Sequence, residues 1–288
     1  MANIQDTKST SVIIGKIVVY IILAIFTFLA LYPICWLLIN SFKTTQEFQL
    51  NKLGLPGKID GYEATFINYK DAWVRGKFGG LILNSIFYTV VSVALIIVFS
   101  FMSGFAFAKL QSKATKVLYG SFTIGLLMTL QCIMVPLFLM ANWTGLLDTR
   151  LGVLIPYIGI GMPMGVYLAT EYIRSIPTAL IESARIDGAK FFRIFAQIIL
   201  PMCTPLAVTL AILSVTGTWN EFMLINILTS TPTLKSLPVG IQAFAGALSM
   251  DYGKQFAALV IGLLPMLSFY LVFHKEITKG VAAGAVKG

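Results

Sequence analysis

The chain has 288 residues, 57% of them hydrophobic and only 11% charged, with a formal net charge of +9 and a mean hydropathy of +0.85. Soluble domains carry about 25% charged residues, so a soluble fold of this length has no way to hide so much apolar surface, and the solvent is lipid. The lysines and arginines are scattered among the polar connections instead of gathered on one face with groove-reading motifs. That excludes a nucleic-acid binder and suits loops beside anionic headgroups.

Charge-free runs mark the membrane spans, because a helix needs about 20 apolar residues to cross the hydrocarbon. In chain order they are Ile17 to Phe42, Phe78 to Ala108, Val117 to Leu147, Leu151 to Thr170, Ile194 to Asn220 and Gln255 to Phe273. Their apolar residues run continuously and do not alternate, so they are helices and not barrel strands. The expected fold is all-α and polytopic, with spans at about 17–40, 81–107, 117–140, 151–172, 201–226 and 256–274. The first run is too long for a signal-peptide core and lacks a small-residue cleavage site, so it reads as a retained span. Residues 1–16 precede it. The long polar segment 41–79 carries Leu55-Pro56-Gly57 and a short surface helix near Asn68–Trp73. A second connection, about 229–254, holds Thr231-Pro232-Thr233 and Leu237-Pro238-Val239-Gly240, and is long enough to project outward or fold back. The tail, 276–288, is too small to form a core of its own. The bias of basic residues between the two sides is weak and supports the orientation only modestly.

Between the fourth and fifth spans lies a polar segment of helical character. Pro177 suits a helix start, Thr178 to Asp187 contains good helix formers, and Gly188 allows the left-handed turn that ends a helix. Phe191 to Ile199 restarts a helix, and Pro201 and Pro205 mark entry to the next span. The first helix is expected to present Leu180, Ile181 and Ala184 beside Glu182 and Arg185, with small Ser183 and Ala184 seating it in a partner's cleft. Periodicity alone fits a plain interfacial helix equally well.

The order Glu182-Ser183-Ala184, then Gly188, then Ile199-Leu200-Pro201, set between two spans, resembles the cytoplasmic "EAA" loop of permease subunits of bacterial ATP-binding-cassette importers. Trp219-Asn220-Glu221-Phe222, Leu237-Pro238-Val239-Gly240 and the end Gly284-Ala285-Val286-Lys287-Gly288 resemble the carbohydrate-importer branch, above all the smaller permease of maltose-type systems. Ser183 stands where that family usually has alanine. The resemblance implies a type I importer permease fold, with a transmembrane domain over 80–275 and a coupling loop over 174–200. It implies a bacterial plasma-membrane location with both termini cytoplasmic, a second homologous permease forming a heterodimer, two ATP-binding subunits and an extracytoplasmic sugar-binding protein. ATP and magnesium would be bound by the ATPase partner and no cofactor by this chain. The implied ATPase-coupling residues are Glu182, Ser183, Ala184, Asp187, Gly188 and Ala189, and the implied ATPase-facing tail is Gly284 to Gly288.

Sugars favour aromatic platforms and amide hydrogen bonds, which makes Asn84, Tyr88, Gln131, Asn142, Trp143, Asn220 and Glu221 the candidate substrate pathway. Tyrosine and tryptophan also populate membrane interfaces for structural reasons, and Glu221 sits near enough to a span's end to have a structural role. Gly161 and Gly165 form a small-xxx-small pair that permits close helix packing, within the subunit or against a partner. Cys35, Cys132 and Cys203 read as small buried hydrophobes, and a lone His274 excludes a His-based metal cluster. Phosphate-loop, zinc-protease and nucleophile-elbow motifs are missing, so the chain is expected to be a transporter subunit and not an enzyme. An ion-gradient-driven carrier or channel is the alternative, but it calls for charged carriers deep in the spans, which are almost free of acids.

Overall fold

The structure, a computed structural model, describes residues 6–57, 65–110, 112–247 and 251–285. All regular secondary structure among them is helical: α1 (Asp6–Asn40), α2 (Thr45–Leu50), α3 (Ile67–Arg75), α4 (Phe78–Lys109), α5 (Lys113–Gly125), α6 (Leu130–Trp143), α7 (Arg150–Arg174), α8 (Thr178–Ile186), α9 (Phe191–Ile194), a π-helical turn (Phe195–Ile199), α10 (Leu200–Met202), α11 (Thr204–Asn220), α12 (Met223–Leu228), a 3₁₀ turn (Pro232–Leu234), α13 (Leu237–Ala247) and α14 (Tyr252–Ala285).

Among the described residues, four segments, within α1, α4, α7 and α14, are long and apolar enough to cross a membrane singly, and the number rises to six if each of two bent pairs counts as one span. The span expected at about 117–140 is built from two helices and not one. Between α5 and α6 the axis turns by 110°. Three successive i→i+3 bonds, from the amides of Leu126, Leu127 and Met128 to the carbonyls of Thr123, Ile124 and Gly125, tighten the chain. Thr129 is then extended, with ψ of 150°, before α6 begins. The expected span 201–226 is interrupted too. The axis bends by 73° at Cys203, and α11 ends at Asn220 before α12 starts. Pro205 has no amide to give the carbonyl of Pro201, and the hydroxyl of Thr204 donates to that carbonyl instead (2.7 Å). The carbonyl of Met202 is met by the hydroxyl of Tyr172 (3.2 Å). Breaks inside lipid persist only where freed backbone groups find such partners.

The chain divides into two compact units. In the first, Met1–Gly76 with Phe244–Leu264, the rings of Trp36, Phe48 and Phe256 meet at centroid distances of 5.0–5.9 Å. Asn68 donates to the carbonyls of Ser41 and Lys43, and the ammonium of Lys254 joins Asp251 (2.7 Å) to Asp71 (3.3 Å). Lys43 is fully buried and donates to the carbonyl of Asn51, and this burial lowers its pKa. The most apolar stretch of α1 has no buried residue.

The second unit, Lys77–Ala243 with Pro265–Gly288, is organised by α4 and α7. The two helices run parallel, and their contacts step four residues at a time on both. A Cβ on Gly161 would stand 2.4 Å from Ile96, on Gly165 2.1 Å from Ser100, and on Gly104 2.7 Å from Ala169. The small-xxx-small pair of α7 is therefore used inside the subunit. At one end of this seam, Phe101, Phe105, Ile173, Ile181, Ile199 and Leu210 form a core joining α4, α7, α8 and α11. At the other, Tyr88, Val153, Leu154, Leu224 and Ile225 form a second core.

Residues 229–237, which follow α12, are fastened back onto α4 and the turn before α7. Asp148, in the left-handed region at φ 55°, accepts from the amides of Ser230 and Thr231 (2.8 Å each) and from the hydroxyl of Thr231. Its own amide donates to the carbonyl of Leu228. Ser85 accepts from the amide of Leu237 (2.8 Å). The bonds from Thr231 and Ser230 hold the Asp148 carboxyl below its ordinary pKa.

Two outcomes follow from this packing. Gly104→Val places a branched side chain against the backbone at Ala169 and Thr170, and such overpacking costs about 1–3 kcal/mol. Its thermal midpoint in detergent is expected to fall clearly below wild type. Gly159→Ala, with nothing within 4 Å, is expected to leave it unchanged. For Asp148 the folded-state pKa is depressed, so its stabilisation is present at neutral pH and is lost as pH falls through the folded value. The thermal-midpoint difference between wild type and Asp148→Asn is expected at neutral pH and should close below the usual carboxylate range. A pH-independent difference would show that the charge is not what holds the loop.

Candidate functional site

The segment from 174 to 200 forms the helix, turn and helix that its sequence foreshadows. Pro177, at φ −55° and ψ 131°, leads into α8. The helix ends in a Schellman arrangement: Gly188 adopts φ 79°, its amide donates to the carbonyl of Arg185 (3.0 Å), and the amide of Ala189 donates to that of Ala184 (2.9 Å). Lys109, at the end of α4, donates to the carbonyl of Ile176 (2.9 Å) just before α8.

The two faces of α8 differ. Ile181 and Ala184, three residues apart and so on one face, are buried in the chain's own core. The expected seating of Ala184 in a partner's cleft is corrected: helical spacing turns it inward together with Ile181. Ala189 packs against the same core. Leu180, Glu182, Ser183, Arg185 and Asp187 are exposed, as is Gly188. Beyond the turn, Phe191 and Phe195 lie on Phe105, with centroids at 4.5 and 5.5 Å. The sequence reading missed Ile186 and Phe192, which are 86% and 73% exposed. Their signal was present, since each is a large apolar residue off the buried face of a polar segment.

The candidate pathway residues fall into separate places. Asn84 donates to the carbonyls of Thr233 (2.6 Å) and Lys235 (3.0 Å) and accepts from Arg150 (3.2 Å). Tyr88 donates to the carbonyl of Leu234 (2.9 Å). Both therefore fasten the connection after α12, and their polar groups are engaged there. Gln131, Asn142 and Trp143 lie exposed on α6, and Asn220 is exposed with its amide on the carbonyl of Thr216 (3.0 Å). Glu221 accepts from the hydroxyl of Tyr157 (2.7 Å) and the amides of Leu224 (2.7 Å) and Ile225 (3.3 Å). Its carboxylate satisfies the open amides at the start of α12. Of the candidate set, Glu221 alone lines a cavity of about 300 Å³, bounded also by Ile96, Tyr157, Gly161, Gly165 and Ser214. Tyr157 was not singled out from sequence, although a hydroxyl in an otherwise apolar span needs a partner. In the tail, Gly284 and Ala285 belong to the last turn of α14, and Val286, Lys287 and Gly288 lie outside the described residues.

Residues 9–274 match the family described as binding-protein-dependent transport system inner membrane component. The multiple sugar-binding transport system permease protein MsmG of Streptococcus mutans is 32% identical over 93% of this chain and 96% of its own length. The diacetylchitobiose uptake system permease protein NgcG of Streptomyces coelicolor is 31% identical over 92% of this chain and 87% of its own. Among solved structures, a chain of a bacterial ABC transporter involved in importing the acidic polysaccharide alginate superposes with a TM-score of 0.78 at 25% identity, covering 96% of this chain and 99% of that one. The chain belongs to the binding-protein-dependent inner-membrane family and is a permease subunit of an ABC transporter, a component of membrane transport and not an enzyme.

Proposed function

We propose that this permease imports a carbohydrate of the oligosaccharide class and receives the work of ATP hydrolysis through α8. The observation that carries the reading is the division of that helix. Its inner face, Ile181 and Ala184, is locked into the core shared by α4, α7 and α11, while Glu182, Ser183 and Arg185 are exposed on the outer face. A force applied to the outer face reaches the spans through packed side chains. The carbohydrate assignment is supported by relatives whose names specify sugar transport.

In this reading a second, homologous permease completes the translocation path. Two ATP-binding subunits hold ATP and magnesium beneath the pair, and an extracytoplasmic binding protein delivers the sugar. The transmembrane domain covers about 80–275, the extracytoplasmic loop 41–79, and both termini are cytoplasmic. Asp187, Gly188 and Ala189 aim the chain after α8, and Gly284 to Gly288 face the ATPases. Nucleotide shifts the outward and inward states only through contacts that differ between them, and Glu182 is the group placed to make one.

Glu182 is assigned a charge-assisted bond to an arginine or lysine of the ATPase. Removing one partner of such a pair typically costs about 2–5 kcal/mol. Glu182→Lys is therefore expected to lose sugar-stimulated ATP hydrolysis and to shed the ATPase on purification while still inserting and pairing with the second permease. An opposite charge change on the ATPase should restore part of the activity. Normal ATPase retention and transport in Glu182→Lys would reduce α8 to an interfacial anchor. Orientation is checked separately with an impermeant thiol reagent on single-cysteine variants in intact cells, where position 251 should label and position 185 should not.

Gly188→Val is expected to lower transport far more than membrane insertion. The position has φ 79° with nothing within 4 Å of an added Cβ, so the strain is in the backbone alone. Normal transport would mean that the left-handed turn is dispensable.

A further inference from the structure

A second cavity, of about 370 Å³, lies where the end of α4, the start of α5 and the end of α7 meet. Phe107 and Leu110 line its apolar side, while Thr115, Lys116, Tyr119 and Arg174 line its polar side. It is a separate place from the cavity at Glu221 and from the exposed face of α8.

The polar wall is preassembled. The hydroxyl of Tyr119 donates to Glu171 (2.7 Å), and Arg174 bonds the same carboxylate through Nη1. The guanidinium lies over the Tyr119 ring, 4.8 Å from its centre. Thr115 is fixed by its bond to the carbonyl of Leu110 (2.9 Å). The remaining N–H groups of Arg174 and the ammonium of Lys116 have no hydrogen-bond partner among the described residues. Lys113 stands one turn before Lys116, and Glu171 is the single carboxylate in this arrangement. The site thus presents a fork and a point charge suited to an anion with several oxygens.

The surroundings distinguish a lipid from a soluble anion. α4 and α7 run from this cavity into segments each apolar enough to cross a membrane, and α5 does so only together with α6, so the two cations stand at the ends of spans, where headgroups lie.

We propose that this cavity holds the phosphate of an anionic glycerophospholipid, with Lys116 and Arg174 as its cations. Basic pockets between transmembrane helices are a known form of headgroup recognition. The inference needs only that the chain lies in a membrane, and it is independent of the role proposed for Glu182.

The test is a thermal-midpoint titration of the full chain, purified in detergent with whatever subunits accompany it. The additives are phosphatidylglycerol, phosphatidylcholine and inorganic phosphate in parallel arms. Phosphatidylglycerol is expected to raise the midpoint saturably and the other two to leave it near its starting value. Lys116→Gln, an exposed position whose removal breaks no internal bond, should require about fivefold more phosphatidylglycerol for the half-maximal shift. Lys70→Gln, exposed in the other unit, should titrate as wild type. An equal response to phosphatidylcholine, a response reproduced by inorganic phosphate alone, or an unchanged titration in Lys116→Gln would each overturn the assignment. Because no nucleotide, sugar or binding protein is added, the outcome does not depend on the coupling reading, and failure of one leaves the other standing.

Discussion

The close approach of α4 and α7 is the contact on which the rest of the permease depends. Lipid supplies no hydrophobic force to drive one apolar helix against another, so association rests on van der Waals contact and interhelical hydrogen bonds. Contact at the distances found here requires glycine or alanine where the backbones meet. Ile96 fits Gly161, Ser100 fits Gly165 and Ala169 fits Gly104, in the same four-residue step on both helices. This parallel seam gives the second unit a rigid axis. One end carries the core that holds α8, and the other carries the side chains that hold the connection after α12.

Around that seam side chains meet backbone groups at several of the breaks. The bend at Cys203 is closed by the hydroxyls of Thr204 and Tyr172. The start of α12 is closed by the carboxylate of Glu221, and the loop at 230–237 by Asp148, Asn84, Tyr88 and Ser85. The charged or polar side chains near these breaks thus serve the backbone, which explains why an acid is tolerated beside an apolar cavity. Burying an acceptor without donors is expensive, and Glu221 has three donors.

The all-helical class and the positions of the apolar segments were legible in the sequence because composition and uninterrupted runs report on lipid directly. So was the turn after α8, where Gly188 has a conformation that other residues resist. The break between α5 and α6 was not legible. It lies in Leu126-Leu127-Met128, which has neither proline nor charge, and its tightened turns appear only in backbone hydrogen bonds. Asn84 and Tyr88 read as sugar contacts because amides and phenols suit sugars, yet an amide that suits a sugar suits a loop carbonyl equally, and only coordinates show which one it meets. Ala184 was misplaced for a similar reason. A motif states which residues recur, whereas helical phase states which way they face.

The phase of α8 also limits how motion can pass through it. Ile181 and Ala184 are held by residues from α4, α7 and α11, and Phe191 and Phe195 hold the following segment against Phe105. The helix therefore has no independent hinge on its inner side. Packed interfaces respond as units with discrete arrangements and do not deform continuously, so a displacement of α8 entails a displacement of the helix ends gathered there. The irregular stretch lies further on, where the π-helical turn, Pro201 and the bend at Cys203 follow one another within nine residues. Under the proposed coupling, α8 and the ends of α4 and α7 form the rigid part of the lever, and the segment from Phe195 to Cys203 is where α11 changes direction relative to it.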